Sequence, residues 1–227
     1  MPPLNRRLAA EALGSFFLFA AVIGSGIMAE QLAGGNLAVA LLGNTMATGA
    51  MLAVLIAILG PISGAHFNPA VSLALWSTGQ MSVGEFAVFV LVQLVGGLLA
   101  VVAAHAMFDL PLLQWSAHAR TGPGQWLGEA IATFALLFVI AGCRGRAAPQ
   151  TGALVALTIV AGYWFTSSTS FANPALTIAR SLTDSFSGIA PANAPMFILS
   201  QLVGGLAGYA TGRWLFGEGD GGDGATS

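Results

Sequence analysis

Ser63-Gly64-Ala65-His66-Phe67-Asn68-Pro69-Ala70-Val71-Ser72-Leu73 and, in the other half of the chain, Ser170-Phe171-Ala172-Asn173-Pro174-Ala175-Leu176-Thr177-Ile178 each set Asn-Pro-Ala at the head of an apolar run. Both read as helix starts. Asn caps well because its side-chain oxygen accepts one of the orphan backbone N–H groups of the first turn, and Pro suits the first helical position, where its missing donor is not needed. The run after the first motif, 70–76, is too short to cross a bilayer, which takes roughly 20 residues. It is expected to enter and stop halfway, and the second segment, 173 to about 182, has the same form. One capped start is ordinary; two at matched places in an apolar chain imply a duplicated device.

The 227 residues are 56% hydrophobic and 7% charged, against about 25% charged in a typical soluble domain. Long apolar segments without the period-two alternation of a β-barrel make this an all-α integral membrane protein. Six spans are expected, over about 6–29, 37–59 (broken by Gly60-Pro61), 83–107, 126–142, 151–166 and 194–216. The two half-helices fall after the second and fifth. The N-terminal stretch lacks a small-residue cleavage site and is taken as the first span, not a cleaved signal. Residues 217–227, a Gly/Asp tail, are expected to be disordered. The whole chain, 1–227, forms a single transmembrane domain.

The two halves repeat one another. Ala10-Glu11-Ala12-Leu13-Gly14-Ser15-Phe16 resembles Gly128-Glu129-Ala130-Ile131-Ala132-Thr133-Phe134, and Gln93-Leu94-Val95-Gly96-Gly97-Leu98 resembles Gln201-Leu202-Val203-Gly204-Gly205-Leu206. With the two Asn-Pro-Ala boxes these landmarks define repeats over about 6–107 and 124–216. Three spans per repeat is an odd number, so the second repeat is inserted upside down. Arg6, Arg7, Arg144, Arg146 and Arg213 then share the face of the N-terminus, while Arg120 and Arg180 lie on the other. The positive-inside rule puts both termini in the cytoplasm.

Inversion makes the half-helices enter from opposite faces and meet, N-terminus to N-terminus, near the midplane. Irregular backbone at that depth needs protein or a water-filled cavity around it. Each helix end carries about half a positive elementary charge, and the Asn68 and Asn173 amides add N–H donors. Such a point repels cations, including a hydrated proton, and accepts neutral molecules with lone pairs. The carbonyls of Gly64, Ala65 and His66 on one side, and of Thr169, Ser170 and Phe171 on the other, are the expected acceptors along the path. Glu11 and Glu129 occupy equivalent places in the repeats. An ionisable group within a span is a functional candidate, here as a proton relay; the preferred reading is that each carboxylate holds the irregular backbone of a half-helix loop, whose unpaired N–H groups would otherwise be costly.

With a formal net charge of −2 and seven arginines but no basic stretch, nothing points to nucleic acid. Cys143 is the sole cysteine, which excludes an intramolecular disulfide, and His66, His105 and His118 are too scattered for a metal site. No cofactor is expected. An enzyme would need a nucleophile with a base in reach; Cys143, beside Arg144 whose charge would lower the thiol pKa, is the nearest to a nucleophile, and no His stands near.

The paired Asn-Pro-Ala boxes, the Glu in the first and fourth spans and His66-Phe67-Asn68-Pro69-Ala70-Val71 resemble the aquaporins, or major intrinsic proteins, over about 8–216. The resemblance implies a six-helix bundle with two half-helices, one pore per subunit and a homotetramer in the cell membrane of a bacterium. It also locates a narrow outer selectivity filter at Thr48, Ala161 (or Gly162), Ser170 and Leu176. Most of the family carries Arg where this chain has Leu176, so the ring is expected to lose both cation and bulk and to be wide and weakly polar. Arg180, one helical turn beyond, is a candidate for the pore mouth, with a snorkelling or loop-pairing role, Asp184 being one partner on offer, preferred.

Lacking the filter Arg, the chain is similar to a bacterial branch associated with arsenic-resistance operons. That likeness implies passage of uncharged metalloids, arsenite or methylated arsenicals, with water and glycerol as further solutes. A water or glycerol facilitator with no metalloid role is the alternative. An ion-coupled secondary transporter, which also uses inverted repeats and broken helices, would need a coupling site, and the two Glu are the only intramembrane carboxylates on offer.

Overall fold

A computed structural model describes residues 2–217; apart from Gly217, the tail expected to be disordered lies outside the described residues. Among the described residues eight α-helices follow one another: α1 (Leu4–Leu32), α2 (Leu37–Ser63), α3 (Pro69–Ser77), α4 (Val83–Met107), α5 (Pro123–Gly142), α6 (Ala148–Phe165), α7 (Pro174–Arg180) and α8 (Ala194–Phe216), with a 3₁₀ turn at Pro191–Asn193. The protein is an all-α membrane bundle of six spans and two half-helices, α3 and α7. By length and composition α1, α2, α4 and α5 can each cross a membrane, and α6 and α8, of 18 and 23 residues, complete the six.

Local chemistry sets the helix ends. Asn36 accepts from the Ala38 and Val39 N–H groups at the start of α2, and Ser82 and Glu85 form a reciprocal capping box at the start of α4. The expectation that Gly60-Pro61 breaks the second span is corrected. The helix continues to Ser63 and closes on Gly64, whose left-handed backbone (φ 92°) directs its N–H to the Gly60 carbonyl at 2.9 Å. Pro61 lies in the last turn, where one lost hydrogen bond is tolerated, and the Ser63 hydroxyl is tied to Glu11 at 2.7 Å.

Packing follows the duplication. Helix α1 packs on α2 and α4, α5 on α6 and α8, and α2 on α6 joins the halves; α7 packs on α4, and α3 on α8. Exchanging α1–α4 with α5–α8 reproduces the same set of contacts. Two close backbone approaches are also matched: a Cβ on Gly96 would lie 2.4 Å from the Ala12 carbonyl oxygen, and one on Gly204 would lie 2.1 Å from that of Ala130. Only glycine lets these backbones meet. Large apolar side chains such as Leu13, Leu42, Leu91, Leu157 and Val203 point outward to the lipid.

Candidate functional site

The segments leading into α3 and α7 are built from backbone that side chains resist. Ala65, Phe67, Thr169, Ser170 and Ala172 all have φ between 49° and 62°, the left-handed region that costs a non-glycine residue about 1–3 kcal/mol unless the surroundings enforce it. The Ser63 and Ser168 hydroxyls accept from the Ala65 and Ser170 N–H groups, and the two buried carboxylates hold the residues next to the Asn. Glu11 accepts from the N–H groups of His66 (2.9 Å) and Phe67 (2.8 Å), and Glu129 from those of Phe171 and Ala172, both at 2.9 Å. Gln93 and Gln201 donate to the same carboxylates at 2.8 and 2.6 Å, and also to Ser72 and Thr177 in the half-helices. Every oxygen of both carboxylates is thereby engaged.

The two Asn-Pro-Ala segments meet. Asn68 caps α3 through Ala70 N–H (2.9 Å), and Asn173 caps α7 through Ala175 and Leu176 N–H. Their amide nitrogens cross over: Asn68 Nδ2 donates to the Ala172 carbonyl at 2.7 Å and Asn173 Nδ2 to the Phe67 carbonyl at 2.8 Å. One of the two N–H bonds of each amide is therefore spent on the opposite loop, leaving the other for the lumen. The same crossing removes the Phe67 and Ala172 carbonyls from the set of free acceptors.

A cavity of about 120 Å³ runs past this crossing, against roughly 30 Å³ per molecule in liquid water. Gly64, Ala65, His66, Ser170 and Phe171 line it, together with both Asn and Leu176; Thr169 does not. The facing wall is apolar, with Leu18, Leu52, Ile56, Leu136, Val155 and Ile159. The ring of His66, one of the lining residues, is held with Nδ1 2.9 Å from Ser72 Oγ.

At the far end, away from the termini, one sequence expectation is corrected. Ala161 is exposed on the outer surface of α6 and does not reach the cavity. The lining residues of α6 are Thr151, Val155, Ile159 and Tyr163, a stripe at four-residue spacing on one helix face. Gly162, the second candidate, is buried against Ser170. Tyr163 restores the bulk expected to be missing, and its hydroxyl lies 3.4 Å from Thr48 Oγ1. Thr48 continues the Leu52 and Ile56 stripe of α2, though it stands behind the lining. The four-residue stripe was the signal for Tyr163, and counting from the motif passed over it.

Arg180 is tied to the loop that follows α7, though not through Asp184. It is buried (1% exposed), its Nε donates to the Ser187 carbonyl, and its guanidinium lies 3.2 Å from the centroid of the Phe171 ring. It neither snorkels nor pairs with Asp184, which accepts from Ala117 N–H at 2.8 Å and stands 3.9 Å from His118 Nε2. Arg180 is carried inward because α7 is short and its last residue still lies within the bundle. Burial pushes the Cys143 thiol up, outweighing nearby Arg146; a thiol so placed is a poor nucleophile. Among the described residues no three His, Cys, Asp or Glu gather as a metal site.

Residues 2–165 match the family model described as Major intrinsic protein. The chain is 51% identical over 215 residues to the Aquaglyceroporin AqpS of Rhizobium meliloti, covering 93% of this chain and 91% of that one. It is 29% identical over 225 residues to the Aquaporin Z of Bradyrhizobium diazoefficiens, covering 92% and 93%. The X-ray structure of the aquaglyceroporin from Plasmodium falciparum superposes with a TM-score of 0.70 at 18% identity, over 93% of this chain and 95% of that one.

Proposed function

Because the chain belongs to the major intrinsic protein family, whose members are passive channels and not enzymes, we propose that this aquaporin-type channel carries small uncharged metalloids, arsenite or methylated arsenicals, besides water or glycerol. The observation that carries the reading is the far end of the cavity, where Leu176, Tyr163, Ser170 and Phe171 stand with no guanidinium in the lumen. An Arg there would offer donors that favour water and strongly polar solutes and would narrow the passage. A leucine beside an aromatic ring removes both. Neutral arsenite, a compact trihydroxylated molecule, keeps hydrogen bonds to the carbonyls of Gly64, Ala65, His66 and Phe171 on one wall while its less polar face slides along Leu52, Ile56 and Ile159. Methylated arsenicals, being more apolar, gain further from the same wall.

In this reading Tyr163, Ser170 and Leu176 form the selectivity filter, with Thr48 behind the Tyr163 hydroxyl, and Asn68 and Asn173 hold the midplane. Both termini are cytoplasmic, the channel sits in the bacterial inner membrane, and the functional particle is a homotetramer. A water and glycerol channel without a metalloid role is the second reading, favoured by the name of the 51% identical relative, an aquaglyceroporin.

The test is stopped-flow flux in proteoliposomes for water, glycerol and arsenite, comparing the wild type with Leu176→Arg. Metalloid transport predicts fast arsenite flux that the Arg suppresses by about tenfold or more, the factor for each 1.36 kcal/mol of added barrier, with water flux retained. Water or glycerol flux with no arsenite flux in the wild type supports the second reading.

A further inference from the structure

We infer that Arg180 and Arg120, set behind the Phe171 ring at the far end of the cavity, form the cation barrier of this pore, acting through their field and not by contact with the solute. Phe171 lines the cavity. On its ring lie two guanidiniums, that of Arg180 at 3.2 Å from the centroid and that of Arg120 at 5.2 Å. Neither arginine has a carboxylate within salt-bridge distance among the described residues. Both are held by neutral carbonyls: Arg180 by Ser187, and Arg120 by Gly188 at 2.8 Å and Phe186 at 3.1 Å. Arg180 Nη1 is buried and lacks any hydrogen-bond partner.

Guanidiniums stay protonated in proteins, and a buried charge in a low-dielectric wall is little screened by salt. The one carboxylate that acts on both arginines, Glu129, is occupied by the Phe171 and Ala172 N–H groups and by Gln201. Glu30 and Asp184 also stand on this face, accepting from the Phe186 and Ala117 N–H groups, but neither lies within salt-bridge distance of either guanidinium, so the field beside Phe171 is locally positive. The arrangement separates two properties that a lumenal arginine would combine. Solutes meet only Leu176, Tyr163, Ser170 and Phe171, so the wall stays weakly polar, while a cation entering from the far side meets the field of two charges one ring away. The inference holds whichever neutral solute passes, so it stands or falls independently of the metalloid reading.

The experiment uses the full chain in proteoliposomes, with water flux as the control for folding and sodium and proton leak as the readout. Arg180→Gln keeps a donor for the Ser187 carbonyl but removes the charge; sodium leak is expected to rise by about tenfold or more. Arg180→Lys keeps the charge and is expected to stay tight. In planar bilayers under a sodium chloride gradient, the residual leak of the wild type is expected to favour chloride. The inference is overturned by a Gln variant that passes water yet stays tight, by a Lys variant that leaks as much as Gln, or by a wild-type leak that favours sodium. Should Arg180→Gln pass no water, Arg120→Gln takes its place, with a smaller rise expected and an unchanged leak counting against the field.

Discussion

At Tyr163 a single side chain is expected to set the width of the passage. Its ring closes the α6 stripe at the far end of the cavity, and its hydroxyl stands 3.4 Å from Thr48 Oγ1. Tyr163→Ala removes that bulk, so glycerol flux is expected to rise severalfold relative to water flux in the same vesicles. An unchanged ratio would place the constriction elsewhere. Glu129 acts on shape and not on width. Glu129→Gln turns one acceptor oxygen into an NH₂ group facing N–H donors of Phe171, Ala172 or Gln201, and the loss of charge-assisted hydrogen bonds with a buried donor left over costs about 3 kcal/mol. A clear drop in the thermal midpoint in detergent is expected, together with reduced water flux. If instead the variant melts like the wild type and only proton leak changes, the carboxylate is a relay and not a brace.

Elements in this molecule are held at two kinds of joint. Where α5 crosses α8, a Cβ on Gly204 would sit 2.1 Å from the Ala130 carbonyl oxygen, so Gly204→Leu must push the helices apart. Overpacking of this sort costs about 1–3 kcal/mol, and thermal melting with size-exclusion chromatography should show a less stable, partly aggregated protein. Leu199→Ala, at an exposed position of the same helix, serves as the neutral comparison. Where α3 meets α7, each asparagine serves two elements at once, capping its own half-helix and holding a carbonyl of the opposite loop. Asn68→Ala forfeits about 1 kcal/mol of capping and frees the Ala172 carbonyl to accept in the lumen. Proton flux measured with a pH-sensitive dye is therefore expected to rise while water flux persists; tight exclusion in the variant would show that the helix N-termini suffice.

Across the whole molecule, charge distribution carries the topology. Arg6, Arg7, Arg144, Arg146 and Arg213 fall on the face of the termini and Arg120 and Arg180 on the other, so fusions of a reporter active only in the cytoplasm are expected to work at both ends of the chain. Activity at one end alone would contradict six spans, and silence at both would reverse the orientation.

What the sequence determined by itself is what short-range chemistry and segment length decide. Apolar runs of spanning length identified the spans, Asn-Pro pairs identified the starts of α3 and α7, and the matched landmarks around Glu11 and Glu129 identified the duplication. Each of these is read from residues within a few turns of one another, the duplication by matching one such stretch to another. The tertiary structure decided which side chains face the passage. Ala161 and Tyr163 lie on one helix two residues apart, and only the rotation of α6 against α2 sends the first to lipid and the second to the cavity. Arg180 likewise found Phe171 and the Ser187 carbonyl instead of Asp184 because the depth at which α7 ends is set by its packing against α4 and α8. Such rotations and depths are fixed by contacts between residues far apart in the chain, among them the Asn68 to Ala172 and Asn173 to Phe67 hydrogen bonds, and no local pattern encodes them.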